Sequence, residues 1–74
     1  MMASYPGEVW IVDTLFLHET NKGNKYMMVA VDRFTNAWEM FPCREDIPEN
    51  FARFYYWQIF PRWGAARMVH TDRG

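Results

Sequence analysis

Residues 9–17 read Val-Trp-Ile-Val-Asp-Thr-Leu-Phe-Leu, an apolar run that does not alternate and is broken once, at Asp13. A strand with one wet face alternates; a run that is apolar at successive positions has both faces covered, as in the middle of a sheet. The run is rich in β-branched and aromatic residues and far short of the roughly 18 apolar residues of a membrane span. Such a strand requires a neighbour on each side and a layer on each face. With 74 residues in all, the chain has room for one small domain to supply them. A domain of that size buries only about 60% of its unfolded surface.

The rest of the sequence supplies part of that cover. Residues 1–7 form an opening segment closed by Pro6-Gly7, and residues 8–17 the first strand. Lys22-Gly23-Asn24 provides turn chemistry, residues 25–32 a second strand, Arg33-Phe34-Thr35-Asn36 a short turn, and residues 37–41 a third strand ended by Pro42. Short connections make these three an antiparallel meander. The period then changes. Asp46 as cap, Pro48 in the first turn and Glu49 three residues after the cap mark a helix start, and Phe51, Phe54, Tyr55 and Ile59 follow as one apolar stripe. Pro61 is expected to end or kink the helix near Phe60, with Gly64 terminating it. Residues 67–72 form a last short strand. A helical crossover between strands favours a parallel pair, so this strand is expected beside the first and parallel to it. The fold class expected is α/β, in the order β-β-β-α-β.

One helix covers one face of a sheet. The first strand's second face and the last strand's free edge are left open, which invites association. Either a partner covers them or the chain is part of something longer; the second is the expectation adopted.

Composition excludes several classes. Half the residues are apolar and 19% aromatic, which is incompatible with intrinsic disorder. Cys43 is the only cysteine, so an internal disulfide and a cysteine-based zinc site are both out, and His18 and His70 match no ligand spacing. Eight basic and nine acidic residues give a net charge of -1, against a chain whose main device is a basic surface for nucleic acid. Phosphate reached through metal ions is not excluded. The amino terminus has neither the basic nor the apolar region of a secretory signal, so an intracellular location is expected.

Two aspartates carry the candidate chemistry. Asp13 interrupts an apolar run, where burial of an unpartnered carboxylate costs several kcal/mol or more; a basic side chain, a set of donors or a metal ion has to compensate. Asp72 ends the strand that the topology sets beside the first. Two carboxylates on neighbouring strands make a hard-oxygen site for Mg²⁺ or Mn²⁺. The plain alternative is a solvated edge residue or an ion pair, Asp13 with Arg73 for example. Asp32 competes on the same grounds, with turn capping as its ordinary role.

At this point four stretches resemble a known family. Pro6-Gly7-Glu8-Val9-Trp10-Ile11-Val12-Asp13, Met28-Val29-Ala30-Val31-Asp32-Arg33-Phe34-Thr35-Asn36, Ile59-Phe60-Pro61-Arg62-Trp63-Gly64 and Val69-His70-Thr71-Asp72-Arg73-Gly74 are similar, in order and spacing, to the first half of the catalytic core of integrases. The resemblance is to those of retroviruses and LTR retrotransposons, the gypsy-type elements above all. It implies a truncated RNase H-like fold over residues 8–74, with three antiparallel strands and a fourth parallel to the first. It also implies a polynucleotidyl transferase that joins element-end DNA to target DNA with two Mg²⁺ or Mn²⁺ ions. Asp13 carries over as the first acidic ligand and Asp72 as the second. The third, a Glu on a later helix, has no counterpart here, so little or no strand transfer is expected of the chain alone. Ala66 stands where the family commonly has Pro. The partners implied are nucleic acid and either a second copy or a complementary integrase segment. The location implied is the nucleus of a eukaryotic host or an element particle. An interaction module of integrase descent and a ribonuclease H relative are the alternatives.

The remaining conspicuous residues have ordinary readings. Trp10, Trp38 and Trp63 are expected in packing rather than base stacking, with Trp57 held open because it lies off the helical stripe. His70 is read as a structural strand histidine, near enough to Asp72 to touch substrate, and Cys43 as a small residue at a strand's end.

Overall fold

A computed structural model describes residues 2–17, 23 and 25–71. Strands β1 (Val9–Phe16), β2 (Tyr26–Asp32), β3 (Trp38–Cys43) and β4 (Met68–Thr71) form one four-stranded sheet in the order β3-β2-β1-β4. β1 pairs antiparallel with β2, β2 antiparallel with β3, and β1 parallel with β4. This is the β-β-β-α-β arrangement that the sequence implies, with β1 inside the sheet, and it is consistent with the first part of an RNase H-like fold. The expected β1–β2 turn lies mostly outside the described residues; Gly23 is described and has φ of 82°. The β2–β3 turn closes with Asn36 at φ 64° and Asp32 N–H donating to the Ala37 carbonyl at 2.9 Å.

Pro42 acts differently from expectation, and Pro61 does so in part, since the helix changes its winding at Phe60 without ending there. β3 does not stop at Pro42 but runs through it to Cys43. Lys25 N–H donates to the Cys43 carbonyl at 3.1 Å, so Cys43 faces β2 and its neighbour Pro42 turns its nitrogen outward, where an edge strand needs no donor. Pro61 does not end the helix. Helix α1 (Pro48–Phe54) passes into a π-turn (Tyr55–Ile59) and then α2 (Phe60–Trp63). Phe60 N–H donates to the Tyr55 carbonyl, one residue wider than an α-turn. The helix is thereby rewound at Phe60, and Pro61 falls in the first turn of the new segment, where a missing N–H has no consequence. Gly64, at φ 81°, terminates it as expected.

The helix start is also displaced. The cap is Ile47, without a side-chain cap hydrogen bond, and not Asp46. Pro48 forces the residue before it into extended backbone, and Ile47 has φ −126° and ψ 154°. Asn50 ties the preceding loop instead, its side-chain amide donating to the Glu45 carbonyl at 2.7 Å.

The core lies between the sheet and the helix: Trp10 and Val12 from β1, Met28 and Ala30 from β2, Cys43 from β3, Phe54 and Ile59 from the helix. Phe41 and Phe54 stack with ring centres 5.4 Å apart. Side chains alternate across a sheet, so Ile11, Asp13 and Leu15 take the opposite face. They sit beside Val31, Val29 and Met27 of β2, which in turn pair with Trp38, Met40 and Pro42. Among the described residues no helix covers that face, and none is long and apolar enough to cross a membrane.

Candidate functional site

Asp13 stands on the helix-free face, exposed rather than buried. The expected desolvation cost therefore does not arise among the described residues. Its Oδ1 accepts the Thr14 N–H at 2.8 Å. The carboxylate lines a hollow of about 250 Å³ whose other walls are Ile11, Leu15, Val29, Val31 and Trp38. A lone acidic group in an otherwise apolar concavity is the least ordinary chemical feature of the molecule. A larger hollow of about 430 Å³ beside Arg44, Arg53 and Trp57 does not include Asp13.

β4 brings the second candidate segment alongside. The parallel register pairs Ile11 with His70 and Val12 with Thr71, and Asp13 and Asp72 are the residues that follow that last pair in sequence. Asp72, and Arg73 as the alternative ion-pair partner of Asp13, lie outside the described residues. His70 is exposed on β4. Among the described residues no three His, Cys, Asp or Glu side chains gather closely enough to hold a metal ion.

Asp32 caps the β2–β3 turn and has an added task. It is wholly buried. Its carboxylate accepts from Thr35 Oγ1 at 2.7 Å, Thr35 N–H at 3.1 Å, Phe34 N–H at 3.3 Å and, across the sheet end, Gly7 N–H at 3.1 Å. Burial acts to raise its pKa, but the Thr35 hydroxyl and the three backbone donors hold it below the usual carboxylate range. Four donors occupy both oxygens, so Asp32 is no rival as a cation ligand.

A second buried carboxylate escapes a reading by sequence. Glu39 on β3 faces the helix and takes Gln58 Nε2 at 2.8 Å, Trp63 Nε1 at 3.0 Å and the Arg62 guanidinium at 3.4 Å. Burial again acts to raise the carboxyl; Gln58, Trp63 and Arg62 bring it below its ordinary value. The available signal was Gln58 and Arg62 one turn apart, followed by Trp63. This cluster is structural: its donors close on the carboxylate and leave no room for a substrate.

The tryptophans divide. Trp10 and Trp63 pack edge to face at 5.1 Å, and Trp10 donates its indole N–H to the Gly7 carbonyl at 3.2 Å. Trp38, expected in the core, is instead 64% exposed on the helix-free face, and Trp57 is 71% exposed on the outside of the helix. Cys43 is buried at the end of β3, and burial pushes its thiol up.

No protein-family model matches the chain. Individual relatives do. Over 69 residues, 93% of the chain, it is 33% identical to the Gag-Pol polyprotein of baboon endogenous virus (strain M7). Over the same length it is 32% identical to the Pol polyproteins of feline endogenous virus ECE1 and of radiation murine leukemia virus (strain Kaplan). The chain spans 4%, 7% and 12% of those curated relatives. By this similarity the chain is a homologue of a short region of retroviral Pol polyproteins.

Proposed function

We propose that this chain is the part of an integrase-type polynucleotidyl transferase core that carries two of its acidic metal ligands, Asp13 and Asp72, with DNA as substrate. One observation carries the reading: the parallel register that ends at Val12 and Thr71, each followed in sequence by an aspartate. The relatives support it more broadly, being Pol polyproteins.

The donor chemistry fits a hard cation in part. Asp13 offers an exposed carboxylate whose Oδ1 is oriented by Thr14 N–H, and carboxylate oxygen is what Mg²⁺ and Mn²⁺ prefer. When bound, two such ions supply activation of an attacking oxygen and stabilisation of a leaving one in phosphoryl transfer. This chain's own contribution is positional. β1 and β4, hydrogen-bonded in parallel, hold consecutive segments of the site at one end of the sheet. A further acidic ligand, supplied from outside these residues, completes the set.

Mn²⁺ titrated into the isotope-labelled chain tests the reading. Paramagnetic broadening is expected first at Asp13, Thr14 and Thr71, and Asp13→Asn is expected to abolish it. Broadening that is absent, or indifferent to that substitution, removes the basis for the assignment. In a DNA-joining assay the isolated chain is expected to give little or no product.

A further inference from the structure

Three hydrogen bonds from the start of β4 converge on Glu8, the residue ahead of β1. Its carbonyl oxygen accepts both the Arg67 N–H at 2.8 Å and the Met68 N–H at 3.1 Å. Its Oε2 accepts the Arg67 Nε–H at 2.6 Å in an ion pair. The carboxylate is itself held in place. Glu8 is buried, its Oε1 takes the Ser4 N–H, and Gly7 just before it is tied to Asp32. The Ser4 N–H and the Arg67 guanidinium keep the carboxyl below its ordinary value, so the contact is a charge-assisted one at neutral pH.

The pair stands in the register of the parallel ladder. Glu8 and Arg67 are 59 residues apart in sequence. Every rung from Val9–Met68 to Val12–Thr71 keeps that offset, and so do Asp13 and Asp72. The ion pair therefore lies one step before the first rung, and the two aspartates follow one step after the last. A slip of one residue reverses the face of every side chain, and Val69, which packs on the core cluster, opposes it. A slip of two residues keeps the faces, so apolar patterning does not oppose it. It does carry Arg67 about 7 Å along β1, out of reach of Glu8, and shifts the residue after Thr71 from the level of Asp13 by as much.

We infer that Glu8 and Arg67 are a positioning pair: they lock β4 to β1 in the one register that brings Asp72 level with Asp13. β1 carries Asp13 five residues, about 16 Å, beyond Glu8, so the Glu8 carboxylate does not itself reach the cation. The pair acts through the backbones of the two strands. Its positioning role rests on the reading of Asp13 and Asp72 as metal ligands; the register lock does not.

Nuclear magnetic resonance of the isotope-labelled chain, without and with Mn²⁺, is the test. Arg67→Met removes the cation. Glu8→Gln combined with Arg67→Met removes both charges, so that no buried carboxylate is left alone. In each variant the cross-strand contacts from Val9–Met68 to Val12–Thr71 are expected to weaken, while those from Trp10–Asp32 to Phe16–Tyr26 stay. Mn²⁺ affinity is expected to fall about tenfold or more, with broadening lost at Thr71 and kept at Thr14. Arg67→Lys is expected to restore both the contacts and the broadening. The register lock is overturned if the two variants keep the β1–β4 contacts. It is equally overturned if the β1–β2 contacts vanish with them, which would make the pair a support of the whole fold. Contacts that weaken while Mn²⁺ binds as in wild type overturn the positioning role alone. Absence of broadening in the wild type overturns the metal reading and the positioning role with it, and the contacts then decide the register lock by themselves.

Discussion

Asp32, at the end of β2, accepts the Gly7 N–H across 3.1 Å and so fastens the residues ahead of β1 to the β2–β3 turn. The same carboxylate holds Phe34 and Thr35 in that turn. One buried charge thus organises two segments that are distant in sequence, and its negative charge is satisfied entirely by donors rather than by a cation.

Asp32→Ala leaves those donors without a partner in a dry place. The expected loss is about 3 kcal/mol, a large share of what a domain this small possesses, since stability runs at roughly 0.05–0.15 kcal/mol per residue. Asp32→Asn retains one acceptor oxygen and is expected to lose less. Urea midpoints of the three chains check the order. Equal midpoints for wild type and Asp32→Ala would contradict the structural role.

Asp32 and Glu39 both titrate below their ordinary values of 3.8 and 4.5 in the folded chain. The unfolded chain therefore takes up protons first, and the stability these groups contribute is complete above those ordinary values and lost as pH falls through the folded ones. The urea midpoint is expected to stay level from neutral pH down to about 5 and to fall steeply below about 4. Glu39→Gln, which cannot titrate, is expected to make that fall shallower.

What the sequence disclosed, and what it withheld, follows one physical division. Local rules sufficed for β1, whose unalternating run marks a central strand, for the Asp32 turn, and for the Phe51–Phe54–Tyr55–Ile59 stripe that meets the sheet. They failed where the neighbour decides. Pro42 is tolerated only because β3 is the outer strand, and Pro61 only because the π-turn rewinds the helix before it. Trp38 looked like core material, but its face has no covering helix among the described residues. Asp13 was conspicuous as the polar break in an apolar run, yet whether it is dry or wet depends on that same missing layer. Glu39 went unnoticed because its partners come from 19 and 24 residues away.

Gly7 and Gly64 both have positive φ, at 82° and 81°, but different surroundings. A Cβ on Gly7 would lie 3.0 Å from both the Cβ and the carbonyl oxygen of Trp63, whereas one on Gly64 meets nothing within 4 Å. Gly64→Ala is expected to show backbone strain alone, about 1 kcal/mol or somewhat more. Gly7→Ala adds a clash that shifts Trp63 from Trp10 and Glu39, and is expected to cost clearly more. Thermal midpoints of the two variants compared side by side check this; a smaller loss for Gly7→Ala would show that Trp63 gives way freely.

Trp10 and Trp57 stand at opposite extremes of burial. Trp10 is fully buried, touches Trp63 edge to face and donates to the Gly7 carbonyl. Trp10→Ala opens a cavity and orphans that carbonyl, for an expected loss of about 3–5 kcal/mol. Trp57 has most of its surface in water, so Trp57→Ala is expected to change the urea midpoint of the monomer by no more than about 0.5 kcal/mol. A Trp57→Ala chain that unfolds readily would instead assign that ring to the fold.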